Sequence, residues 1–385
     1  MTKPLENAQS IAREIARVHA DDVDRQARFP KEAVDALRSA KLLGASAPVA
    51  LGGLGSSVTE LVAMCQALGQ ACSTTGMVFA MHHIQVASMV LHPGTNGAMA
   101  KYVKEICEKQ WLIASVTSEV GVGGDLRRSA CAIETTGDTF SVVKDATTIS
   151  YGAQADGLLL TARRSADAAP SDQAMVWLRP GDYTLEKKGN WDTLGMRGTC
   201  SPPFRVTAKG KADQVMTEPF SDVGPLTMVP FSHLLWGGVW LGLATEAVSR
   251  ARAFVRAEAR RSPGAPGANA LRLSELQAQL QSLRSLVYAM ADEYQASLVN
   301  KVDKDLLLSV GYALRLNNLK LVASQSIAQM VTAAMPICGI MGYKNDSQFS
   351  LGRLLRDSFS AQLMINNDRI HMTNAQLLQV YKDDS

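Results

Sequence analysis

The period of the apolar residues changes twice along this chain, and that change constrains its fold more than any single motif. Up to about residue 112 the period is helical: Ile11, Ile15 and Val18 share one stretch, and Val34, Leu37 and Leu42 follow Phe29 and Pro30. From Leu112 to about Val215 it gives way to short apolar runs bounded by Gly, Asp, Pro and Lys, at 140–143, 158–161, 174–178 and 204–206. After Pro230 the helical period returns, in segments near 232–261, 271–299, 303–335 and 351–380, lengths that suit an antiparallel bundle. The pattern predicts an α+β chain in three parts: a helical domain over 1–112, a middle antiparallel β domain over 113–225 and a four-helix bundle over 226–385. Two segments interrupt the helical parts. At 48–55 three glycines permit tight turns ahead of a helix capped by Thr59, and at 262–268 two prolines and two glycines make a helix-to-helix loop.

Composition removes several function classes. Lys and Arg number 39 against 36 Asp and Glu, a net charge of +3, and no basic run is interleaved with aromatics, which argues against nucleic acid as a partner. The first residues lack an apolar leader core, and no run reaches the roughly 18 consecutive apolar residues of a membrane span, so a soluble, cytoplasmic protein is expected. The six cysteines contain no C-x-x-C pair, which argues against zinc and against a disulfide framework. Cys65 and Cys72, seven apart, share one helix face.

Residues 117–125, Thr-Ser-Glu-Val-Gly-Val-Gly-Gly-Asp, combine hydroxyls with three glycines, a composition that exposes backbone N–H groups to a polar ligand or simply makes a turn. What adds weight is order. Phe29-Pro30, the glycines of 52–55, this loop, 147–156, Leu194-Gly195-Met196-Arg197-Gly198-Thr199 and Gly339-Ile340-Met341-Gly342-Tyr343 follow one another across a helical, β, helical chain. Together they resemble the acyl-CoA dehydrogenase family over nearly the whole length.

The resemblance implies a flavin, FAD with FMN as the alternative. It places Thr117, Ser118 and Gly123 at the flavin loop, with Gly124 where the family has a serine beside the pantetheine arm. It maps a Trp-Ile-Thr element onto Thr148-Ile149-Ser150, which keeps hydroxyls at Thr148 and Ser150 but loses the stacking tryptophan. Gly339 and Gly342 match a turn whose N–H groups approach the FAD pyrophosphate, often across a subunit boundary, so a homodimer or homotetramer is implied. Pro336 and Ile340 depart from that turn, and the arginine and phenylalanine that grip the neighbouring FAD have only a loose counterpart near Arg260, Arg261 and Gly264.

Dehydrogenating an acyl thioester needs a carboxylate to take the α-proton while the flavin takes a hydride. The family places that glutamate eight residues after an Arg-Asp pair. Here the pair is Arg356-Asp357, and the count reaches Ile365. A minority place it at the start of the helix after the β domain, where this chain has Ser232 followed by His233. Neither position carries a carboxylate. His233 is then the first replacement base, with Ser232 beside it, and His83, in Met81-His82-His83-Ile84-Gln85, would meet the cofactor or substrate. Each of these histidines has a plainer reading as a packed helix residue. Asp368-Arg369 reads as an exposed ion pair, and Trp236 with Trp240, four apart, as core or an aromatic wall.

The expected function is an FAD-dependent oxidoreductase acting on a thioester-bound acyl group, on CoA or a carrier protein, with electron-transfer flavoprotein or O2 as acceptor and a non-standard base. The alternatives are a flavin monooxygenase or oxidase on the same fold, for which loss of both glutamates and of the tryptophan is natural, and a non-catalytic flavin-binding or scaffold homologue.

Overall fold

The computed structural model describes residues 2–94, 97–261, 264, 266–299 and 302–382. The N-terminal helices are α1 (Lys3–Ile11), α2 (Arg17–Arg25), α3 (Lys31–Ser39), α4 (Val58–Ala71), α5 (Ser73–Leu91) and α6 (Ala98–Lys109). The cap of α4 lies two residues earlier than expected. Ser57 accepts the Glu60 N–H while the Glu60 carboxylate accepts the Ser57 N–H, a reciprocal capping box. Thr59 instead donates to Asp292 at 2.6 Å.

Seven strands follow: β1 (Ile113–Val116), β2 (Glu134–Thr136), β3 (Thr139–Ala146), β4 (Gly157–Arg163), β5 (Gln173–Leu178), β6 (Tyr183–Lys187) and β7 (Phe204–Lys211). They form two sheets, β1-β4-β5 and β2-β3-β7-β6. The expectation of a purely antiparallel domain is corrected at one edge, since β1 runs parallel to β4 with Ile113 opposite Gly157. The apolar run of β5 is buried along its whole length, as a strand covered on both faces must be.

The chain becomes helical again at α7 (Phe220–Val223), six residues before the expected boundary, and continues through a π-turn into α8 (Val229–Arg261). Then come α9 (Ala268–Leu298), α10 (Lys304–Leu307), α11 (Val310–Cys338) and α12 (Ile340–Tyr343). Ser262, Pro263 and Ala265 of the expected loop lie outside the described residues. The fourth helix, expected as one rod over 351–380, is cut into α13 (Gly352–Ser358), α14 (Ser360–Leu363) and α15 (Asn367–Leu378). The cut is Ile365, which adopts φ +51°, a left-handed conformation that ends a right-handed helix, while the Asn366 side chain caps α15 by accepting the Asp368 N–H.

Two helical runs, Phe220–Arg261 and Val310–Cys338, are long and apolar enough to cross a membrane, which an inspection for unbroken apolar runs does not reveal. The most apolar window of the first is 94% buried inside the protein and that of the second 56%, the pattern of core helices. All six cysteines are free.

Candidate functional site

Helices, strands and the broken last helix converge on one cleft with two chambers. The outer, about 490 Å³, is lined by Met77 of α5, the segment 191–201, and Phe359 and Leu363 near the break. The inner, about 210 Å³, is lined by Ile84 and Gln85 of α5, Thr117 and Ser118 after β1, and Ser232 and Trp236 of α8. Met81, Thr148, Ser150, Met364 and Ile365 line both.

Hydroxyls hold the β-side wall in shape. Ser118 Oγ donates to the Thr148 carbonyl at 2.7 Å and accepts the Thr148 N–H at 3.1 Å, stapling the 117–125 loop to the 147–150 segment. Ser201 Oγ lies 2.9 Å from Ser150 Oγ and 2.8 Å from Thr199 Oγ1, a chain of small hydroxyls along the cleft. Behind the loop, the buried Glu119 carboxylate accepts the N–H groups of Ala130 (3.1 Å) and Cys131 (2.6 Å) and faces the buried Lys144 ammonium at 3.6 Å. Burial holds the Lys144 amine below the usual lysine range, against the opposing pull of Glu119. The glycines at the tip, Gly121, Gly123 and Gly124, have φ of +89°, +60° and +74°, conformations that L side chains rarely adopt. Arg369 of α15 donates to the Gly123 carbonyl and lies against Gly124.

On the opposite side Arg356 pairs with the Asp24 carboxylate, and Asp357 accepts the Met196 N–H at 2.7 Å. The Arg-Asp pair therefore pins the 194–199 loop against α13. The approach is so close that a Cβ on Gly195 would fall 2.2 Å from the Arg356 carbonyl oxygen.

An uncharged inner chamber, a hydroxyl-rich wall and a wide outer mouth fit a planar, hydrogen-bonding ring system inserted edgewise. Residues 4–140 match the acyl-CoA dehydrogenase N-terminal domain and residues 228–373 its C-terminal domain. The chain belongs to the acyl-CoA dehydrogenase family.

Members of this family are flavin-dependent oxidoreductases. The 3-(aryl)acrylate reductase of Clostridium sporogenes is 24% identical over 366 residues, covering 92% of this chain and 93% of the relative. Among solved structures, FMN-bound TdsC of Paenibacillus sp. A11-2, a dibenzothiophene monooxygenase, superposes with a TM-score of 0.86 at 20% identity, over 100% of this chain and 99% of that one. Butyryl-CoA dehydrogenase of Megasphaera elsdenii gives 0.83 at 19% identity, over 98% and 99%. At these identities the superpositions establish the acyl-CoA dehydrogenase fold.

With this family's cleft in view, the residues expected from the sequence divide into two groups. Thr117, Ser118, Thr148, Ser150, Ser232 and Ile365 come together at the inner chamber. Gly123 lies at the exposed loop tip, Gly339 caps the end of α11 and Gly342 lies in α12, all outside the linings of both chambers.

Neither replacement histidine lines the cleft, and Ser232 does. His233 points away from the chamber that its neighbour Ser232 lines: its Nδ1 donates to the Leu316 carbonyl of α11 at 3.3 Å, its Nε2 is enclosed without a partner, and burial pushes the ring down to about 3. One residue on a helix turns a side chain by about 100°, and that rotation separates His233 from Ser232. His83 is held at both nitrogens: Nε2 donates to the Leu42 carbonyl at 3.0 Å, so Nδ1 accepts from Ser46 Oγ at 2.9 Å. Its burial holds the ring neutral, well below the usual histidine range. His82 likewise donates to the Leu43 carbonyl and accepts the Ile113 N–H, tying α5 to β1. The Ser232 hydroxyl is spent on the Met228 carbonyl at 2.6 Å. Asp368-Arg369 forms no ion pair among the described residues, because Arg369 reaches the Gly123 carbonyl of the 117–125 loop instead.

Sequence reasoning missed Gln85 and the hydroxyls of Thr199 and Ser201. The signal for Gln85 was present: Met77, Met81, Ile84 and Gln85 follow the i, i+4, i+7, i+8 pattern of one helix face, and both histidines fall outside it.

Proposed function

We propose that this chain holds a flavin in the two-chambered cleft and uses O2 to oxidise a small neutral substrate, as a monooxygenase or oxidase rather than an acyl-CoA dehydrogenase. The observation that carries this reading is the inner chamber's chemistry: among the described residues its lining contains no Asp, Glu, His or Lys. Abstraction of an α-proton has no acceptor there, whereas oxygenation requires none. When bound and reduced, the flavin supplies the two electrons that O2 needs.

The protein's own residues shape and dry the site. Thr148, Ser150 and Ser201 offer hydroxyls along one edge, Met81, Met364 and Ile365 close the apolar side, and Trp236 walls the inner end. Arg369 lies against Gly124, beside the place where the resemblance puts a pantetheine contact, which disfavours a long thioester arm. The TdsC superposition is consistent with this assignment and says nothing further of the substrate.

A dehydrogenase reading keeps one supporting feature. An apolar groove of about 480 Å³ between the β domain and α11 shares Leu126 and Val229 with the inner chamber and could admit a CoA or carrier-protein arm. Two measurements separate the readings. Flavin-loaded protein is titrated anaerobically with short acyl-CoAs, and reduced flavin with air and a panel of small arenes is analysed for oxygenated product or hydrogen peroxide. Oxygen consumption with product and no bleaching by any acyl-CoA is expected; bleaching by a short acyl-CoA would overturn the proposal.

A further inference from the structure

We propose that a second cleft, between the N-terminal helices, α4 and α9, binds the phosphate monoester of a small organic molecule. The proposal is independent of any reading of the flavin cleft.

This second cleft, about 610 Å³, is lined by Arg13 and Arg17, by Gln66 and Gln70 of α4, and by Arg284 and Tyr288 of α9. It shares no lining residue with either flavin chamber, and none of its lining residues is an Asp or Glu. Arg17 is held in place: its two terminal nitrogens bind the buried Glu246 carboxylate at 2.7 and 2.9 Å, and Arg250 Nε shares that carboxylate at 3.0 Å. One negative charge thus serves two guanidiniums. Arg13 and Arg284 have no hydrogen-bond or ion-pair partner among the described residues. Positive charge is left over at the cleft, on groups whose planar fork of donors matches a phosphate.

The backbone points to the same place. Ala12–Ala16, between α1 and α2, is a π-helical turn, a rare form that is frequent at functional sites. The other π turn among the described residues, Gly224–Met228, borders the inner flavin chamber through Met228. A π turn rotates fewer degrees per residue than an α turn, which keeps Gln9, Arg13 and Arg17 on the cleft face.

Size and floor define the rest of the ligand. The volume lies within the range of about 300–1,000 Å³ of small-molecule sites, so the phosphate comes with an organic body. Ala12, Ala63, Ala67 and Ala71 give that body an apolar floor. Tyr288, fixed by donating to Gln66 Oε1 at 2.8 Å, gives it an aromatic rim. A phosphate monoester carries about two negative charges at neutral pH, matching the two unpaired guanidiniums, whereas a carboxylate brings one.

Calorimetric titrations of the full chain with AMP, adenosine and inorganic phosphate test this. AMP is expected to bind about a hundredfold tighter than adenosine, the worth of two hydrogen bonds to charged groups, and tighter than phosphate, which lacks the body. Added salt weakens AMP and leaves adenosine unchanged. Arg13→Gln combined with Arg284→Gln removes only unpaired charges, so it keeps the melting temperature and brings AMP down to adenosine. Equal affinities for AMP and adenosine would overturn the proposal. So would an AMP affinity that the double variant does not move, which would put the phosphate elsewhere, as in the flavin cleft. Phosphate binding as tightly as AMP would remove the organic body from the assignment. A double variant that changes the sedimentation of the chain and not its AMP affinity would give this face to a second copy instead.

Discussion

His82, His83 and His233 are enclosed and neutral, and enclosure has an energetic consequence in acid. Burial lowers the rings below the ordinary value of 6.5, to about 4 for His82 and about 3 for His233, with His83 well below. As pH falls through 6.5 the unfolded chain takes up these protons before the folded one does, so stability declines with falling pH until the folded rings protonate. His233→Leu removes one share of that decline and an unpartnered nitrogen with it. Urea midpoints measured between pH 7 and 5 are expected to fall less steeply for the variant than for the parent, with flavin content unchanged. Parallel slopes would show that His233 is not held neutral. At this scale the sequence was legible in part. It disclosed which residues occupy the base positions, because one is counted from Arg356-Asp357 and the other stands at the start of the helix after the β domain. It did not disclose direction: Ser232 and His233 are neighbours in the chain but point about 100° apart, and which of them meets the chamber is set by how α8 packs on α11.

The break between α14 and α15 brings Ile365 into the cleft, and its support lies outside its own segment. Lys320 of α11, fully buried, donates to Asn367 Oδ1 at 2.5 Å, and Asn367 Nδ2 donates to Ser324 Oγ at 3.1 Å. Buried apolar residues continue on both sides of the break, at Leu354 and Ala361 before it and Ile370 after it, so the segment reads by composition as one rod, although Ile370, nine residues beyond Ala361, falls about 180° out of phase. The break is decided by a left-handed Ile365, an Asn366 cap and a buried lysine some forty-five positions earlier. Burial pushes the Lys320 amine down to about 8 from 10.5. Below pH 8 the folded state carries a charge it holds poorly. Between about 8 and 10.5 the unfolded chain is protonated while the folded one is not, so this group's contribution to stability improves as pH rises. Asn367→Ala strips the ammonium of its side-chain acceptor and is expected to cost about 3 kcal/mol near neutrality. That loss should shrink in unfolding measurements at pH 9.5; a loss independent of pH would mean Lys320 is not the group affected.

Across the whole molecule, the order of elements and the sequence of glycine turns were enough to read the family, since both are one-dimensional. The reaction was not readable, because it depends on what three separately encoded parts bring to one cleft. Those parts are tied by pairs far apart in the chain: Arg17 with Glu246, Asp21 with Arg353 and Asp24 with Arg356. The tightest tie carries no charge. Where α8 crosses α4, a Cβ on Gly242 would fall 2.2 Å from the Gln66 carbonyl oxygen and 2.6 Å from the Gln70 nitrogen, and one on Gly238 would fall 2.7 Å from the Val62 carbonyl oxygen. The three atoms nearest Gly242 are all backbone, so a methyl group there cannot be absorbed by a rotamer change and must push the helices apart. Because α8 also carries Ser232 and Trp236, that displacement reaches the inner chamber. Gly242→Ala is therefore expected to lose about 3 kcal/mol of stability by overpacking. Relative to other variants of equal stability, it should also weaken FMN binding, read by fluorescence titration well below its melting temperature. A variant as stable as the parent would show that the crossing yields freely, and a destabilised one with unchanged FMN affinity would show that the chamber is held independently of it.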